Sequence, residues 1–131
     1  MYSKINLDEA PDRTRTDEEP AVRMLGYELR ERGESRPEEM RFNYFYYDAG
    51  NTVRRHTQKE QEELFFVVKG RATMEVGEEE FEINSGDFVV VDPGPWRQIH
   101  AHEDTEIFAV GAPNVRDDAV FEADVEETTR E

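Results

Sequence analysis

The sequence predicts an all-β protein with a single domain, a barrel or sandwich made of many short strands. Runs of β-branched and aromatic residues alternate with Gly, Pro and Asp turn signals at intervals of about eight to twelve residues, a spacing typical of such folds. The chain has 131 residues, enough for one domain that buries roughly two-thirds of the surface its unfolded form exposes. A second domain is therefore not needed to explain its length.

The N-terminal part divides into an arm and the first strands. Residues 1–20 are polar and predict an arm with a short strand from Lys4 to Leu7. The stretch from Val22 to Arg30 alternates enough for one or two strands. From Met40 to Tyr47 the chain predicts a strand with aromatic residues on both faces, so that one face lines the barrel and the other packs on something else.

The rest of the barrel is predicted to extend to residue 112. Gly77 to Glu80 reads as a hairpin turn, and Leu64 to Val68 as a strand buried on both faces. The acidic segment 113–131 either trails in solvent or lays Val120 and Phe121 on a neighbouring surface. The further predicted strands are Val53 to Thr57, Glu63 to Val68, Arg71 to Val76, Phe81 to Ile83, Asp87 to Val91, Arg97 to His100 and Glu106 to Val110.

One run of the chain carries the chemistry. From Gly50 to Gly70 it reads G-x5-H-x-Q-x4-E-x6-G, with His56, Gln58 and Glu63 at the polar positions. Successive side chains of a strand point to opposite faces, so His56 and Gln58 share one face of their strand, and Glu63 shares a face of the next strand with Phe65. Two adjacent strands can thus bring an imidazole, an amide and a carboxylate together.

This spacing resembles the first motif of the cupin family, with Gln58 where the family usually has a second histidine. Residues 86–101 resemble the second motif: Gly86 and Asp87 form the opening turn, and Arg97 stands where the family places its last metal-binding histidine. The resemblance implies a jelly-roll β-barrel, also called a double-stranded β-helix. It also implies a homodimer, since cupin barrels commonly pair through an outer sheet face.

The resemblance further implies one divalent ion, iron, manganese, nickel or zinc, on His56, Gln58 and Glu63, unless the departures from the motif abolish the site. Arg97 carries a permanent charge and has no lone pair to coordinate with. At about 4.5 Å from a divalent ion it would cost roughly 7 kcal/mol at an effective dielectric near 20. Three alternatives remain open: Arg97 pairs with Glu63 in place of the metal, it swings to solvent, or a register shift brings His100 inward as a fourth ligand.

The sequence thus predicts a pocket but leaves its role open. Trp96 is expected at the barrel mouth, as a gate or a plug. The first interpretation is a protein that binds a small anionic or polar molecule; the second is a metal-dependent dioxygenase, isomerase or lyase using His56 and Glu63; the third is a structural or regulatory barrel filled by its own side chains. The predicted pocket residues are Tyr44, Tyr46, His56, Gln58, Glu63, Phe65, Trp96 and Arg97.

Charge restricts the partners and the setting. Thirty-two acidic residues stand against 16 basic ones, a formal charge of −16, spread along the chain. Such a surface is typical of proteins from salt-in halophiles and disfavours binding to nucleic acid. The chain has no cysteine and no apolar stretch near the roughly 20 residues of a membrane span. We therefore expect a cytoplasmic protein without a membrane partner.

Overall fold

The computed structural model describes residues 1–129, with side chains through residue 125. Ten strands form two antiparallel sheets of five strands each. In spatial order the first sheet contains β1 (Ala21–Arg23), β2 (Arg41–Tyr47), β9 (Thr105–Ala112), β4 (Glu62–Lys69) and β7 (Phe88–Val91). The second sheet contains β10 (Ala119–Phe121), β3 (His56–Gln58), β8 (Arg97–Ala101), β5 (Arg71–Val76) and β6 (Glu79–Asn84).

The two sheets pack face to face around a shared core. Val67 and Ile107 of the first sheet and Ala72 and Met74 of the second are fully buried. Each of these residues occupies the inward position of an alternating strand, as in β9, where every second residue from Thr105 to Gly111 is buried. Alternation of apolar residues therefore sets which face of each strand enters the core.

Tight turns hold the strands in register. The β5–β6 hairpin turns through Gly77 and Glu78, with Val76 paired to Glu79, as the sequence predicts. Gly70, between β4 and β5, has φ +102°, and a Cβ there would lie 2.4 Å from Thr105 Oγ1. Only glycine fits this close approach to β9.

The strand expected in the N-terminal arm is wrong. No strand forms from Lys4 to Leu7; Leu7–Glu9 is instead a 3-10 turn capped by Asn6, whose side chain accepts from the Asp8 N–H at 2.9 Å. Asparagine favours caps because its amide oxygen satisfies a free backbone donor. Of the one or two strands expected from Val22 to Arg30, one forms, β1; the short helix α1 (Leu25–Glu28) and a 3-10 turn at Leu29–Glu31 follow it.

The strand β4 is not buried on both faces. Phe65 and Val67 point inward and are buried, whereas Leu64 and Phe66 on the outer face are half-buried and Val68 is 39% exposed. The outer face of the first sheet is therefore apolar but uncovered.

The segment after residue 112 adds a strand to the second sheet. Strand β10 pairs with β3, placing Phe121 opposite His56. The carboxylate of Asp118, fully buried, accepts the backbone N–H groups of Glu60 and Gln61 at 2.9 and 3.0 Å and so ties the segment to the β3–β4 turn. The helix α2 (Glu122–Thr129) follows, and the last two residues of the acidic tail lie outside the described residues. No helix in the described part is both long and apolar enough to cross a membrane.

Candidate functional site

A cavity of about 260 Å³ opens between the two sheets. Its volume is just below the range of about 300–1,000 Å³ usual for small-molecule sites. Buried or half-buried polar residues form what we call the floor: His56, Gln58, Gln61, Glu63 and Arg97. Four arginines nearer to solvent form what we call the rim: Arg13, Arg15, Arg41 and Arg54.

Arg97 and Glu63 form an ion pair in the floor. Arg97 Nη1 donates to Glu63 Oε1 at 2.9 Å, and the Arg97 side chain is only 1% exposed. Its Nη2 donates to the carbonyls of Asp92 and Pro95 at 2.8 and 3.0 Å, and its Nε donates to Pro95 O at 3.3 Å. Four of the five guanidinium N–H groups therefore have acceptors within the protein.

The β-strand register explains why Arg97 points inward. On β8, Arg97 pairs with Val76 of β5 and Ile99 with Met74, and the alternation buries Arg97, Ile99 and Ala101. No shift interrupts this pairing. Of the three alternatives for Arg97, the structure has the one in which it pairs with Glu63.

His56 presents a free ring nitrogen to the floor. Its Nδ1 lies 2.9 Å from the carbonyl oxygen of Arg54, so Nδ1 carries the proton in this bond. In the neutral ring, Nε2 then keeps its lone pair, and it lies 3.8 Å from Glu63 Oε1. The second carboxylate oxygen of Glu63 has no hydrogen bond within the described residues.

Two buried amides complete the floor. Gln58 is 5% exposed and Gln61 is 2% exposed. Gln58 Oε1 and Gln61 Nε2 have no hydrogen-bond partner among the described residues. A Cβ at Gly111 would lie 2.7 Å from Gln61 Oε1, so the Gln61 amide packs directly against the backbone of β9. Gln61 was not predicted from the sequence, although it lies two residues before Glu63 and so shares its face of an extended chain.

Tyr44 and Tyr46 do not line the cavity, contrary to our expectation. They lie on the outer face of β2, where the Tyr44 hydroxyl donates to Glu106 Oε1 at 2.9 Å and Arg23 lies over the Tyr46 ring at 5.2 Å. Phe45 pairs with the buried Ile107, so Phe45 and the residues two positions before and after it on β2 face inward. Asn43, Phe45 and Tyr47 line the cavity instead, together with Phe65, which was predicted.

The expectation for Trp96 is also wrong. Trp96 precedes Arg97 and is half-buried away from the cavity lining, with its carbonyl accepting the Gly77 N–H at 2.8 Å. It neither gates nor plugs the cavity.

His100 is exposed on the opposite face of β8 from Arg97. Its Nδ1 lies 2.6 Å from Thr52 Oγ1, and its ring lies 5.5 Å from that of His102. Because β8 keeps its register, His100 is not a fourth ligand of the floor.

The rim makes the cavity basic. Arg13 pairs with Glu28 at 2.8 Å and Arg54 with Glu19 at 3.0 Å, whereas Arg15 and Arg41 form no ion pair within the described residues. With Arg97, five arginines line the cavity against two glutamates, Glu19 and Glu63, a formal charge of +3. In a chain of formal charge −16 this sign is reversed. The rim was not predicted from the sequence because its residues come from separate loops and strand ends.

The residues present do not fit a divalent metal ion. Among the side chains of residues 1–125, no three His, Cys, Asp or Glu groups are placed to hold one. Of the predicted ligands, Gln58 supplies only a weak neutral oxygen and Glu63 is already paired with a guanidinium. A metal on His56 and Glu63 would lie beside the buried guanidinium of Arg97, whose positive charge opposes it.

Comparison with known proteins identifies the fold. The family model described as "Cupin domain" matches residues 43–111, just over half of the chain. None of the curated proteins matches the chain by sequence.

Several solved structures are similar to this one. A Klebsiella pneumoniae protein with a double-stranded β-helix domain has a TM-score of 0.71 at 15% identity, covering 90% of this chain and 95% of its own. KdgF from Halomonas sp. has a TM-score of 0.70 at 16% identity, covering 89% and 96%. Streptomyces PAC13 with uridine has a TM-score of 0.71 at 13% identity, covering 90% and 88%, and Pac13 is described as a nucleoside dehydratase. At these identities the likeness shows the fold, and the predicted jelly-roll barrel is confirmed.

Proposed function

The chain belongs to the cupin family, and we propose that it binds a small anionic molecule in the cavity between its two sheets. The observation that carries this proposal is the reversed charge of the cavity, +3 in its lining against −16 for the chain. A concave site with one sign of charge focuses the electric field and concentrates ions of the opposite sign. The overall charge repels anions, so the basic lining serves to admit them.

The rim, not Arg97, supplies the attraction. Arg97 has committed four of its N–H groups to Glu63, Asp92 and Pro95. Arg15 and Arg41 have no ion pair among the described residues, and Arg pairs well with carboxylate and phosphate groups through two parallel hydrogen bonds. We therefore assign these two arginines as the main anion contacts.

Removing single rim charges tests the proposal. Arg15→Gln and Arg41→Gln remove one rim charge each, and Arg116→Gln removes the same charge at an exposed site outside the cavity. Thermal-shift measurements with a panel of small carboxylates and phosphate esters should give stabilisation that falls in the two rim variants and persists in Arg116→Gln. Equal stabilisation in all three variants, or none by any anion in the wild type, would contradict the proposal.

A metal-dependent enzyme is the second candidate. The Nδ1 contact of His56 with the Arg54 carbonyl is the arrangement that orients an imidazole for a partner at Nε2. Against it stands the Arg97–Glu63 pair. The third candidate, a barrel filled by its own side chains, is disfavoured by the cavity of about 260 Å³.

We also propose a homodimer formed through the outer face of the first sheet. That face is apolar. The ring centroids of Phe66 and Phe88 lie 4.4 Å apart in a stacked pair, and those of Phe42 and Phe108 lie 6.2 Å apart in an edge-to-face pair. Phe88 is 67% exposed and Val90 58% exposed. Contiguous apolar patches of this kind mark interaction sites, and burial against a second copy would cover them.

We also propose that the protein works at high salt concentration, in the cytoplasm of a halophile, and the acidic surface supports this. Excess carboxylates repel one another, and concentrated cations screen that repulsion. The melting temperature should therefore rise from low to multimolar potassium chloride. A melting temperature that stays constant or falls would contradict this setting.

A further inference from the structure

We propose that the ligand of this cavity is a hydroxylated anion, held with its carboxylate or phosphate at the rim and its hydroxyl groups in the floor. The proposal rests on the anion-binding function above and adds the direction in which the ligand enters and the group that the floor selects. It follows from which polar atoms of the floor have no partner.

Three hydrogen-bond acceptors of the floor lack a donor in the described part of the chain. His56 Nε2, the second oxygen of Glu63 and Gln58 Oε1 have no hydrogen-bond donor within the described residues. Arg97, the floor's cation, has most of its donors committed. A carboxylate or phosphate placed beside these three acceptors would meet the negative charge of Glu63 and lone pairs. The anionic end of a ligand is therefore less favourable beside Glu63 than at the rim.

The floor also holds a buried donor without a partner in the part of the chain that the structure describes. Gln61 is 2% exposed and its Nε2 has no acceptor among the described residues. An ammonium group would satisfy the acceptors but would leave Gln61 Nε2 unpaired, because it has donors only. A hydroxyl both donates and accepts, so it satisfies Gln58 Oε1 and Gln61 Nε2 in either orientation of the two amides.

A buried polar group without a hydrogen-bond partner costs free energy, so the site favours ligands that supply the missing partner. A site with unpaired hydrogen-bonding groups rejects an analogue that lacks the matching hydroxyl far more strongly than an apolar site rejects an extra one. Gln58 and Gln61 are both more than nine-tenths buried and line the cavity. They would discriminate between hydroxylated and unsubstituted anions of the same length.

The rim binds the other end of the ligand. Arg41 and Arg15 are exposed and unpaired within the described residues, and Arg54 lies 3.6 Å over the Phe121 ring, which fixes its position. A ligand that spans the cavity can therefore contact the arginines of the rim with one end and the polar side chains of the floor with the other.

Four six-carbon probes test the two ends separately by isothermal titration calorimetry, at the lowest potassium chloride concentration that keeps the chain folded. D-gluconate has hydroxyls and a carboxylate, hexanoate has only the carboxylate, D-sorbitol has only hydroxyls, and D-sorbitol 6-phosphate replaces the carboxylate with phosphate. We expect D-gluconate or D-sorbitol 6-phosphate to bind at least about tenfold more tightly than hexanoate and D-sorbitol. Whichever of these two probes binds more tightly shows whether the rim prefers a carboxylate or a phosphate.

Variants assign each end to its residues. Arg41→Gln should weaken D-gluconate and hexanoate alike, by about fivefold, with Arg116→Gln as the matched control. Gln58→Leu should weaken D-gluconate by about tenfold and leave hexanoate unchanged. It should also leave the ligand-free protein equally stable or more stable, because it removes an unpartnered buried amide. Gln61→Leu supplies a second floor variant should Gln58→Leu not fold.

The outcomes separate this inference from the proposed function. If hexanoate binds as tightly as D-gluconate and depends on Arg41, anion binding stands and the selection of hydroxyls is overturned. If D-sorbitol binds as tightly as D-gluconate, the rim assignment is overturned. If none of the four probes binds, both the function and this inference fail.

Discussion

Arg97 donates to Glu63 across the floor of the barrel at 2.9 Å, with the arginine side chain 1% exposed and the glutamate 13% exposed. Strands β8 and β4 lie in different sheets, so this pair joins the two halves of the sandwich. In the motif that the chain resembles, the same two positions hold metal ligands. A guanidinium of the protein thus lies beside Glu63, at the place where the resemblance implies a metal ion.

Removing the guanidinium should destabilise the fold strongly. Arg97→Met leaves Glu63 and the carbonyls of Asp92 and Pro95 without their donors. Breaking a buried pair by removing one partner costs about 3–5 kcal/mol, and we expect a loss of that size in the free energy of unfolding, measured by denaturant titration. Arg71→Met is the control, because Arg71 pairs with Glu82 at a similar 2.8 Å but is 47% exposed. Similar losses in both variants would show that burial of the Arg97 pair adds nothing.

Restoring an imidazole should create a metal site. Arg97→His places a second imidazole near His56 and Glu63 and removes the opposing charge. We expect the affinity for Zn²⁺ and Ni²⁺ to rise at least about tenfold over the wild type by isothermal titration calorimetry. Arg116→His, at an exposed site, tests for adventitious binding. The geometry of the floor would be wrong if Arg97→His showed no gain over Arg116→His.

Tyr47 should make the protein sensitive to high pH. Burial, and secondarily the nearby Glu63 carboxylate, raise the pKa of Tyr47 above its usual value of 10.0. The folded state therefore holds the phenol proton more tightly than the unfolded state. The contribution of Tyr47 to the free energy of unfolding is fully present below about pH 10. Above that pH it decreases, by up to roughly 1.4 kcal/mol per pH unit.

The variant Tyr47→Phe removes this contribution. Its free energy of unfolding should fall less steeply above pH 10 than that of the wild type, although Tyr44 and Tyr46, whose pKa values are also raised by burial, keep part of the dependence. Tyr2→Phe, at a site 76% exposed, is the matched control. Identical slopes for Tyr47→Phe and the wild type would contradict the assignment.

A charge on the outer face should dissociate the proposed homodimer. Phe88, on the edge strand β7, is 67% exposed, and its ring centroid lies 4.4 Å from that of Phe66 on the apolar face. Phe88→Glu adds a charge that a second copy would have to desolvate. Light scattering in multimolar potassium chloride should give a dimer for the wild type and a monomer for Phe88→Glu, with Tyr2→Glu remaining a dimer. A monomeric wild type would disprove the homodimer.

The sequence predicted the floor better than the rim. His56, Gln58 and Glu63 follow strict strand alternation between two glycines, so their common face could be worked out from spacing. The side toward which Arg97 points depends on the register of β8 against β5, and that pairing could be seen only in the structure. The rim depends on loops that approach in space but not in sequence.

The aromatic strand β2 shows where alternation fails. Both faces of β2 carry aromatic residues, so the pattern does not say which face enters the core. Pairing with β9 decides it, since Ile107 opposes Phe45 and Glu106 opposes Tyr46. A glutamate opposite Tyr46 marks the outer face, and this cross-strand relation is absent from the local sequence.

The central claim is that the Arg97–Glu63 pair replaces a metal ion in a cavity that binds an organic anion. The most direct test is the metal content, by mass spectrometry, of protein purified in multimolar salt without chelator, with Glu63→Gln measured alongside. We expect iron, manganese, nickel and zinc far below one ion per chain, and no difference between the two proteins. Near-stoichiometric metal in the wild type that falls in Glu63→Gln would contradict the claim and make His56 and Glu63 the ligands of a metal-dependent enzyme.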